Sequence, residues 1–365
     1  MSDAYKLDSH KMIYHPRRTA DVLEAKGKWD KGCHIYPIYV ELSPIGACNH
    51  RCLFCAVDYV GYHPDRLDLD IMRQRFPEMA RLGVKSVNFA GEGEPMLHKA
   101  IAPMIHAAKT GGLDTSLTTN ASILPHDFID LALPCLSWLK VSINAGTAPT
   151  YAAIHRTKEG DFAKVTEHMQ AMVAAKRTHH LTCVLGAQAL LLPDNAHEME
   201  TLAHLCRNIG MDYLVVKPYS QHLSSGNWRY ETIDYSQFLD LGERLRRLST
   251  PTFSLVFREH TMKKTLDTTN RYDRCYATPF LWAHIMATGV VSGCSAYLMD
   301  QRFEYGNIHH NTFEEIWQGA KRQEGMRFVS EQLDIKECRL NCRMDEVNRY
   351  LHAIATQSPP HINFI

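Results

Sequence analysis

Six short apolar runs punctuate the first two-thirds of the chain, at residues 37–42, 86–90, 115–119, 138–143, 182–190 and 213–218. Their length and β-branched content predict strands. Between them the period changes. Apolar residues recur every three or four positions, as over 71–79 and 162–175, which is the spacing of one helical face. Strand and helix alternating in this way predict an α/β fold with a parallel sheet and crossover helices. Six units are fewer than the eight of a closed barrel, so an open, partial (β/α)6 barrel is expected.

Beyond residue 220 the pattern shifts. Residues 221–227 form a polar connector, 235–248 carry an amphipathic helical pattern, and 253–257 read as another strand ahead of a cysteine-bearing segment. This places a domain boundary near residue 250: an N-terminal extension over 1–36, the partial barrel over 37–250, and a smaller domain over 251–365. A chain of 365 residues is long enough for that arrangement.

Charge removes some partners. The 40 Lys and Arg balance 40 Asp and Glu, so no excess points to nucleic acid or an anionic membrane. No apolar run reaches the roughly 18 residues of a spanning helix. The first residues, MSDAYKLDSHK, lack the apolar stretch of a signal peptide. A cytoplasmic protein is expected, and there its 11 cysteines favour metal binding over disulfides. The 21 histidines are scattered, and His179-His180 and His309-His310 lack ligand spacing.

The cysteines form two sets. Cys48, Cys52 and Cys55 (Cys-x3-Cys-x2-Cys) follow the first predicted strand in a polar loop with Asn49, His50 and Arg51. Functional loops of parallel α/β folds lie at that end of the strands. Three thiolates fall one short of a structural zinc site. They suit a four-iron cluster with one iron open for chemistry. In the second set, Cys275 and Cys294 bracket a predicted hairpin, 284–287 and 290–292 about a Thr288-Gly289 turn, and Cys338-x3-Cys342 precedes a helical stretch. Four such ligands enclose a metal centre completely, and both a four-iron cluster and a structural zinc suit them. Cys33, Cys135, Cys183 and Cys206 stand alone and read as ordinary core or surface thiols.

The first cysteine loop, with Phe54 before its last cysteine, resembles the signature of the radical S-adenosylmethionine (radical SAM) superfamily. The run Ala90-Gly91-Glu92-Gly93-Glu94-Pro95 resembles that superfamily's GGEP motif, with Glu92 in place of its first glycine. The second set, followed by Tyr305-Gly306-Asn307-Ile308 and Phe313-Glu314-Glu315-Ile316-Trp317, resembles the auxiliary-cluster domain of the same enzymes in its four-cysteine twitch form, the shorter relative of SPASM. The resemblance implies SAM and a 4Fe-4S cluster on Cys48, Cys52 and Cys55, and a second, auxiliary 4Fe-4S cluster on Cys275, Cys294, Cys338 and Cys342. It implies SAM contacts from Phe54, Gly93, Glu94 and Pro95, with Glu94 preferred to Glu92 for the methionyl ammonium. Polar residues at strand ends, Thr119, Asn120, Ser142 and Asn144, together with Gln188 on the fifth strand, complete the implied SAM site.

In enzymes of this kind, reductive cleavage of SAM yields a 5′-deoxyadenosyl radical that takes hydrogen from a substrate carbon. A fully ligated auxiliary cluster then favours electron transfer, and with it a dehydrogenase-type oxidoreductase. Some 36 residues precede the first strand, too few for a peptide-leader domain. The expected substrate is therefore a small polar metabolite such as a sugar, cyclitol or nucleotide sugar, with a low-potential donor such as flavodoxin or ferredoxin as partner. Lys217, Tyr219 and Arg258 are candidates to hold it, and Tyr39 and Trp282 to line the cavity. The same layout serves epimerases and peptide-modifying maturases. A zinc-binding interaction protein is the non-enzymatic alternative.

Overall fold

Ten strands among the described residues share one sheet: β1 (Tyr39–Leu42), β2 (Ser86–Phe89), β3 (Asp114–Thr119), β4 (Leu136–Ser142), β5 (Val184–Leu191), β6 (Tyr213–Pro218), β7 (Ser254–Phe257), β8 (Trp282–Ile285), β9 (Val290–Ser292) and β10 (Glu304–Asn307). The structure is a computed structural model that describes residues 3–266 and 271–364. The strand order is β10-β9-β8-β1-β2-β3-β4-β5-β6-β7. From β8 across to β7 all neighbours are parallel, and β9 and β10 add an antiparallel extension. This is a partial barrel, and the six expected strands lie within two residues of their predicted ends.

Both predicted helices are present, inside Leu69–Leu82 and Gly160–Thr178. Asp68 starts the first by accepting the Asp70 and Ile71 N–H groups at 2.8 and 3.0 Å. Residues 235–248 depart from a single helix. They form a 3-10 turn, Tyr235–Phe238, and then the helix Leu239–Arg246. The buried Tyr235 hydroxyl accepts the Tyr219 N–H at 2.6 Å and donates to the Leu191 carbonyl at 3.0 Å, which ties this turn to the ends of β5 and β6.

Two pairings run across the expected division at residue 250. β7 lies beside β6, from Tyr213↔Ser254 to Val216↔Phe257. Its Phe257 packs onto Gly242, where an added Cβ would stand 2.6 Å from the ring. β8 pairs in parallel with β1, from Tyr39↔Trp282 to Leu42↔Ile285. The hairpin of the second cysteine set is thus built onto the strand that carries the first.

Side-chain alternation separates two environments. Val40, Leu42, Val87, Phe89, Leu139 and Val141 are completely buried and pack outward in one core with helix residues such as Phe76, Met104 and Met169. The intervening positions, including Tyr39, Glu41, Asn88, Lys140, Ser142, Gln188 and Lys217, line a polar concave face. Tyr5 and Leu7 pack on Tyr213, Val215 and Val256 at one end of this lumen. No described helix is long and apolar enough to cross a membrane.

Candidate active site

The first cysteine loop leaves β1 and is held on two sides. Arg51 and Leu53 N–H groups donate to the carbonyls of His155 and Ile154 at 3.1 and 2.9 Å. On the other side the Glu94 N–H donates to the Ala47 carbonyl at 2.9 Å. Gly93 is required for that approach, because a Cβ there would come within 2.0 Å of the Ile45 oxygen and 2.6 Å of the Ala47 oxygen. The Gly-Glu-Gly-Glu-Pro turn is thereby seated on the cysteine loop. Burial pushes the Cys48 thiol up to about 11, and raises Cys52 well above the thiol range with Cys55 and Cys48 adding to it. Thiols in this state become ligands when a metal cation replaces their protons.

His155 adds a contact that the spacing of the motif does not reveal. Its Nδ1 lies 3.2 Å from Cys52 Sγ, while its Nε2 is 3.0 Å from the Ile143 carbonyl. His50, Cys52 and His155 bring ligand atoms within 4.8 Å of one another, a second combination able to hold a metal. Phe54 meets the His155 ring edge-on at 5.2 Å.

The residues expected around SAM fall into connected groups. Glu94 accepts from Thr119 Oγ1 at 2.5 Å, the Asn120 N–H at 2.7 Å and the Met96 N–H at 3.0 Å. Pro95 begins the short turn Pro95–Leu97 that Glu94 caps. A carboxylate has about four acceptor sites, so Glu94 keeps capacity for one more donor. Burial nevertheless holds its carboxyl above the usual range. Glu92 is tied elsewhere: it accepts from Ser43 Oγ at 2.5 Å and the Ala287 N–H at 2.8 Å, with His284 Nε2 at 3.3 Å. Burial raises its carboxyl, but His284 and these donors hold it below the carboxylate range. The residue standing in for the motif's glycine thus joins β1, β2 and β8.

Ser142, Gln188 and Lys217 form a chain across the lumen. Gln188 Nε2 donates to Ser142 Oγ at 2.6 Å, and Lys217 Nζ donates to Gln188 Oε1 at 3.0 Å. Asn144 is engaged within the scaffold, its Oδ1 accepting the Leu190 N–H at 2.7 Å and its Nδ2 lying 3.3 Å from His155. Tyr219 is buried against Tyr230, and its hydroxyl donates to Gln221 at 3.0 Å. Arg258 contacts Asp8 at 3.4 Å and Thr261 at 2.9 Å.

All four cysteines of the second set line one cavity, with Trp282, Phe303, Ile335, Tyr297 and Asn348 among its walls. The two halves are brought together by neighbours rather than by sequence proximity. Asn348 Oδ1 accepts the Tyr276 and Ala277 N–H groups, both at 2.8 Å, and its Nδ2 donates to Cys275 Sγ at 3.5 Å. Arg271 donates to the carbonyls of Ile335, Cys338 and Arg339 at 2.6, 3.1 and 3.0 Å, fixing the Cys338 loop. Burial pushes Cys342 up to about 12 and raises Cys294 well above the thiol range, and in both Cys275 adds to the effect. The walls are largely apolar and all four thiols line them, so the donor set fits a fully ligated cluster.

Sequence reading missed Lys140, Arg339 and Arg343, which share the lumen with Lys217 and Arg258. A signal for each was present. Lys140 is a charge in the middle of a strand, in phase with Ser142, and the two arginines directly follow Cys338 and Cys342.

Comparison with known proteins fits this geometry. The chain is 27% identical over 188 residues to a GTP 3′,8-cyclase of Chlorobaculum tepidum, covering 50% of this chain and 55% of that protein. It is 33% identical over 107 residues to an S-adenosylmethionine-dependent nucleotide dehydratase of Lacinutrix mariniflava, covering 27% of this chain and 21% of the relative. The chain thus spans about half the length, or less, of these curated relatives. Among solved structures, Streptococcus suis SuiB bound to S-adenosylmethionine superposes with a TM-score of 0.62 at 17% identity, over 80% of this chain and 68% of that one. Native anSMEcpe with bound AdoMet gives 0.58 at 15% identity, over 86% and 88%. Identities this low speak to the fold alone. Residues 42–206 match the family model of the radical SAM superfamily, and residues 275–343 match SPASM, an iron–sulfur cluster-binding domain. The chain therefore carries a radical SAM domain, which binds SAM and a 4Fe-4S cluster, followed by a SPASM iron–sulfur domain.

Proposed function

We propose that this protein is a cytoplasmic radical SAM oxidoreductase of dehydrogenase type acting on a small polar metabolite. Cys48, Cys52 and Cys55 hold the SAM-binding cluster. Cys275, Cys294, Cys338 and Cys342 hold one auxiliary 4Fe-4S cluster, and 251–365 serves as its domain even though β7 joins the barrel sheet. When bound, the first cluster with SAM supplies a radical able to take hydrogen from an unactivated carbon, and the second supplies an acceptor for the electron left on the substrate.

The observation that carries this reading is the convergence of the second four cysteines on a single cavity. With four protein ligands no iron is left open to substrate, which favours electron transfer over substrate binding. Glu94, Thr119 and Asn120 position SAM beside the cysteine loop, with Gly93 and Pro95 shaping the turn and Phe54 packing against His155. Ser142 and Gln188 extend that surface to Lys217, Arg258 and Tyr219, which hold the substrate, while Asn144 braces the β4–β5 edge. The relatives named for GTP and nucleotides support a small metabolite. Cys183, one of the isolated thiols, is buried in the outer core, so an epimerase would need another hydrogen donor. A low-potential donor such as flavodoxin or ferredoxin supplies the electrons.

The test is product formed per 5′-deoxyadenosine in a Cys338→Ala/Cys342→Ala variant. Uncoupled SAM cleavage should persist while oxidised product disappears. An unchanged ratio, in a variant that keeps its circular dichroism and first-cluster iron, would reduce the second cluster to a structural role.

A further inference from the structure

The lumen holds more positive charge than SAM chemistry requires. Lys140 on β4, Lys217 on β6 and Arg258 just after β7 face one space. The last two start from adjacent strands, for the Arg258 N–H bonds the Val216 carbonyl at 2.9 Å. Arg339 and Arg343 close over them from the C-terminal segment. Arg339 donates to Ser220 Oγ and the Ser220 carbonyl at 3.0 and 2.6 Å, and Arg343 reaches Tyr39 OH at 3.4 Å.

Carboxylates answer only two of these five. Asp8 is 3.4 Å from Arg258, and Glu41 pairs with Arg343. Among the described residues, Lys140, Lys217 and Arg339 have no carboxylate within 4.0 Å. Lys217 has the neutral Gln188 amide at 3.0 Å, and Lys140 stands 4.8 Å from the Trp138 ring. Five cationic side chains thus face two carboxylates, and three of the five lack a counter-ion. Enclosed cations without counter-ions repel one another and lose hydration, a destabilising arrangement unless an anion arrives. Burial followed by Lys140 and the three arginines pulls Lys217 well below the usual lysine range, and burial followed by Arg343 and Arg258 brings Lys140 to about 8. The single carboxylate of SAM neutralises one charge at most. Arg339 and Arg343 follow two cluster cysteines, so part of their charge answers thiolates. Lys140 and Lys217 have no such neighbour.

We infer that Lys140, Lys217 and Arg258, with Arg343 facing them, form a phosphate-binding subsite, and that the substrate is a phosphorylated small molecule with at least two negative charges. Lysines supply mobile point charges and arginines planar forks, a combination that suits phosphate oxygens. The substrate class rests on the reading of this lumen as the substrate site.

The test uses the anaerobically reconstituted full chain titrated calorimetrically with inorganic pyrophosphate, orthophosphate and acetate. One of the phosphates should bind about tenfold or more tightly than acetate, and more weakly as salt is added. Lys140→Gln and Lys217→Gln should each weaken that binding about tenfold or more. Lys109→Gln, at the exposed pair with Asp114, should leave it unchanged. Preference for pyrophosphate assigns a diphosphate ester, and preference for orthophosphate a phosphomonoester; both sustain the subsite. Acetate binding as tightly as either phosphate, wild-type affinity in folded Lys140→Gln and Lys217→Gln, or tighter binding of a glutamate-rich peptide would each overturn it. If Lys217→Gln does not fold by circular dichroism, Lys217→Arg, which retains the charge, should fold and keep the affinity, and its loss of binding counts against the subsite. SAM cleavage by the wild type is read separately. Cleavage without phosphate binding removes this inference alone, whereas phosphate binding without cleavage removes the radical reading and leaves the subsite.

Discussion

The two cysteine regions are assembled by opposite routes. Cys48, Cys52 and Cys55 lie in one continuous loop, and its neighbours, the Gly93–Pro95 turn and the 154–155 carbonyls, hold it from outside. Cys275, Cys294, Cys338 and Cys342 come from three separate pieces of chain, and Asn348 and Arg271 draw the pieces around a cavity. A compact loop leaves one side open to a small molecule. A cavity lined by four cysteines from distant segments offers a full set of protein ligands instead. The difference in connectivity matches the division of labour proposed above, one region for binding SAM and the other for electron transfer.

The harshest way to break the comparison is to remove the open region. Cys48→Ala, Cys52→Ala and Cys55→Ala together should abolish 5′-deoxyadenosine formation and remove about four irons per chain, leaving the auxiliary iron in place. Chromatographic detection of 5′-deoxyadenosine from that variant would sink the radical assignment.

Next comes the carboxylate behind the open loop. Glu94→Gln keeps its shape but loses the charge proposed to pair with the SAM ammonium, and should lower SAM affinity about tenfold or more. Equilibrium binding of SAM measures it, and wild-type affinity would move the ammonium contact elsewhere. The counterpart in the closed region is Asn348→Ala, which strands the Tyr276 and Ala277 N–H groups. A loss of about 1–3 kcal/mol is expected, with iron lost from the auxiliary site only. Denaturant melts and iron quantitation on the Cys48→Ala/Cys52→Ala/Cys55→Ala background would separate the sites.

A pH-dependent effect concerns the lumen between the two regions. Burial first, then Arg343 and Arg258, lower Lys140 from about 10.5 to about 8. Between those values the unfolded chain binds more protons than the folded one, so stability rises with pH across that window. The penalty of the charged lysine is complete below about pH 8 and fades above it. Lys140→Met should therefore be more stable than wild type below about pH 8, with the advantage shrinking toward about 10.5. A constant difference across that range would mean that the lysine is not held as a lone cation.

Period-two strands and dense local motifs were legible in the sequence because both write themselves into adjacent residues. The six strand positions and the two cysteine sets are of that kind, as is Gly93, whose place is fixed by a turn. Long-range pairing was not. Nothing in 282–285 marks it as the partner of 39–42, since Trp-Ala-His-Ile would fit an isolated hairpin equally well. β7 escaped the barrel for the same reason: its strand pattern was read correctly, but its neighbour could not be. Lys140, Arg339 and Arg343 went unremarked because a single charge on a strand, or beside a cysteine, gains meaning only when others face it. Asn144 was legible as a polar residue at a strand end, yet its bond to the Leu190 N–H depends on how β4 meets β5.

The β1–β8 pairing has a consequence for assembly. Four residues of each strand lie in register, Tyr39↔Trp282 through Leu42↔Ile285, about 5 Å apart as neighbouring strands are. The cysteine loop departs from the end of one strand, and the hairpin leading to Cys294 departs from the end of the other. Metal binding at either region stabilises the strand it depends on, and the hydrogen-bonded partner shares that gain. Any coupling of the two regions through this pairing is reciprocal: what iron at one adds to affinity at the other is returned by the same factor.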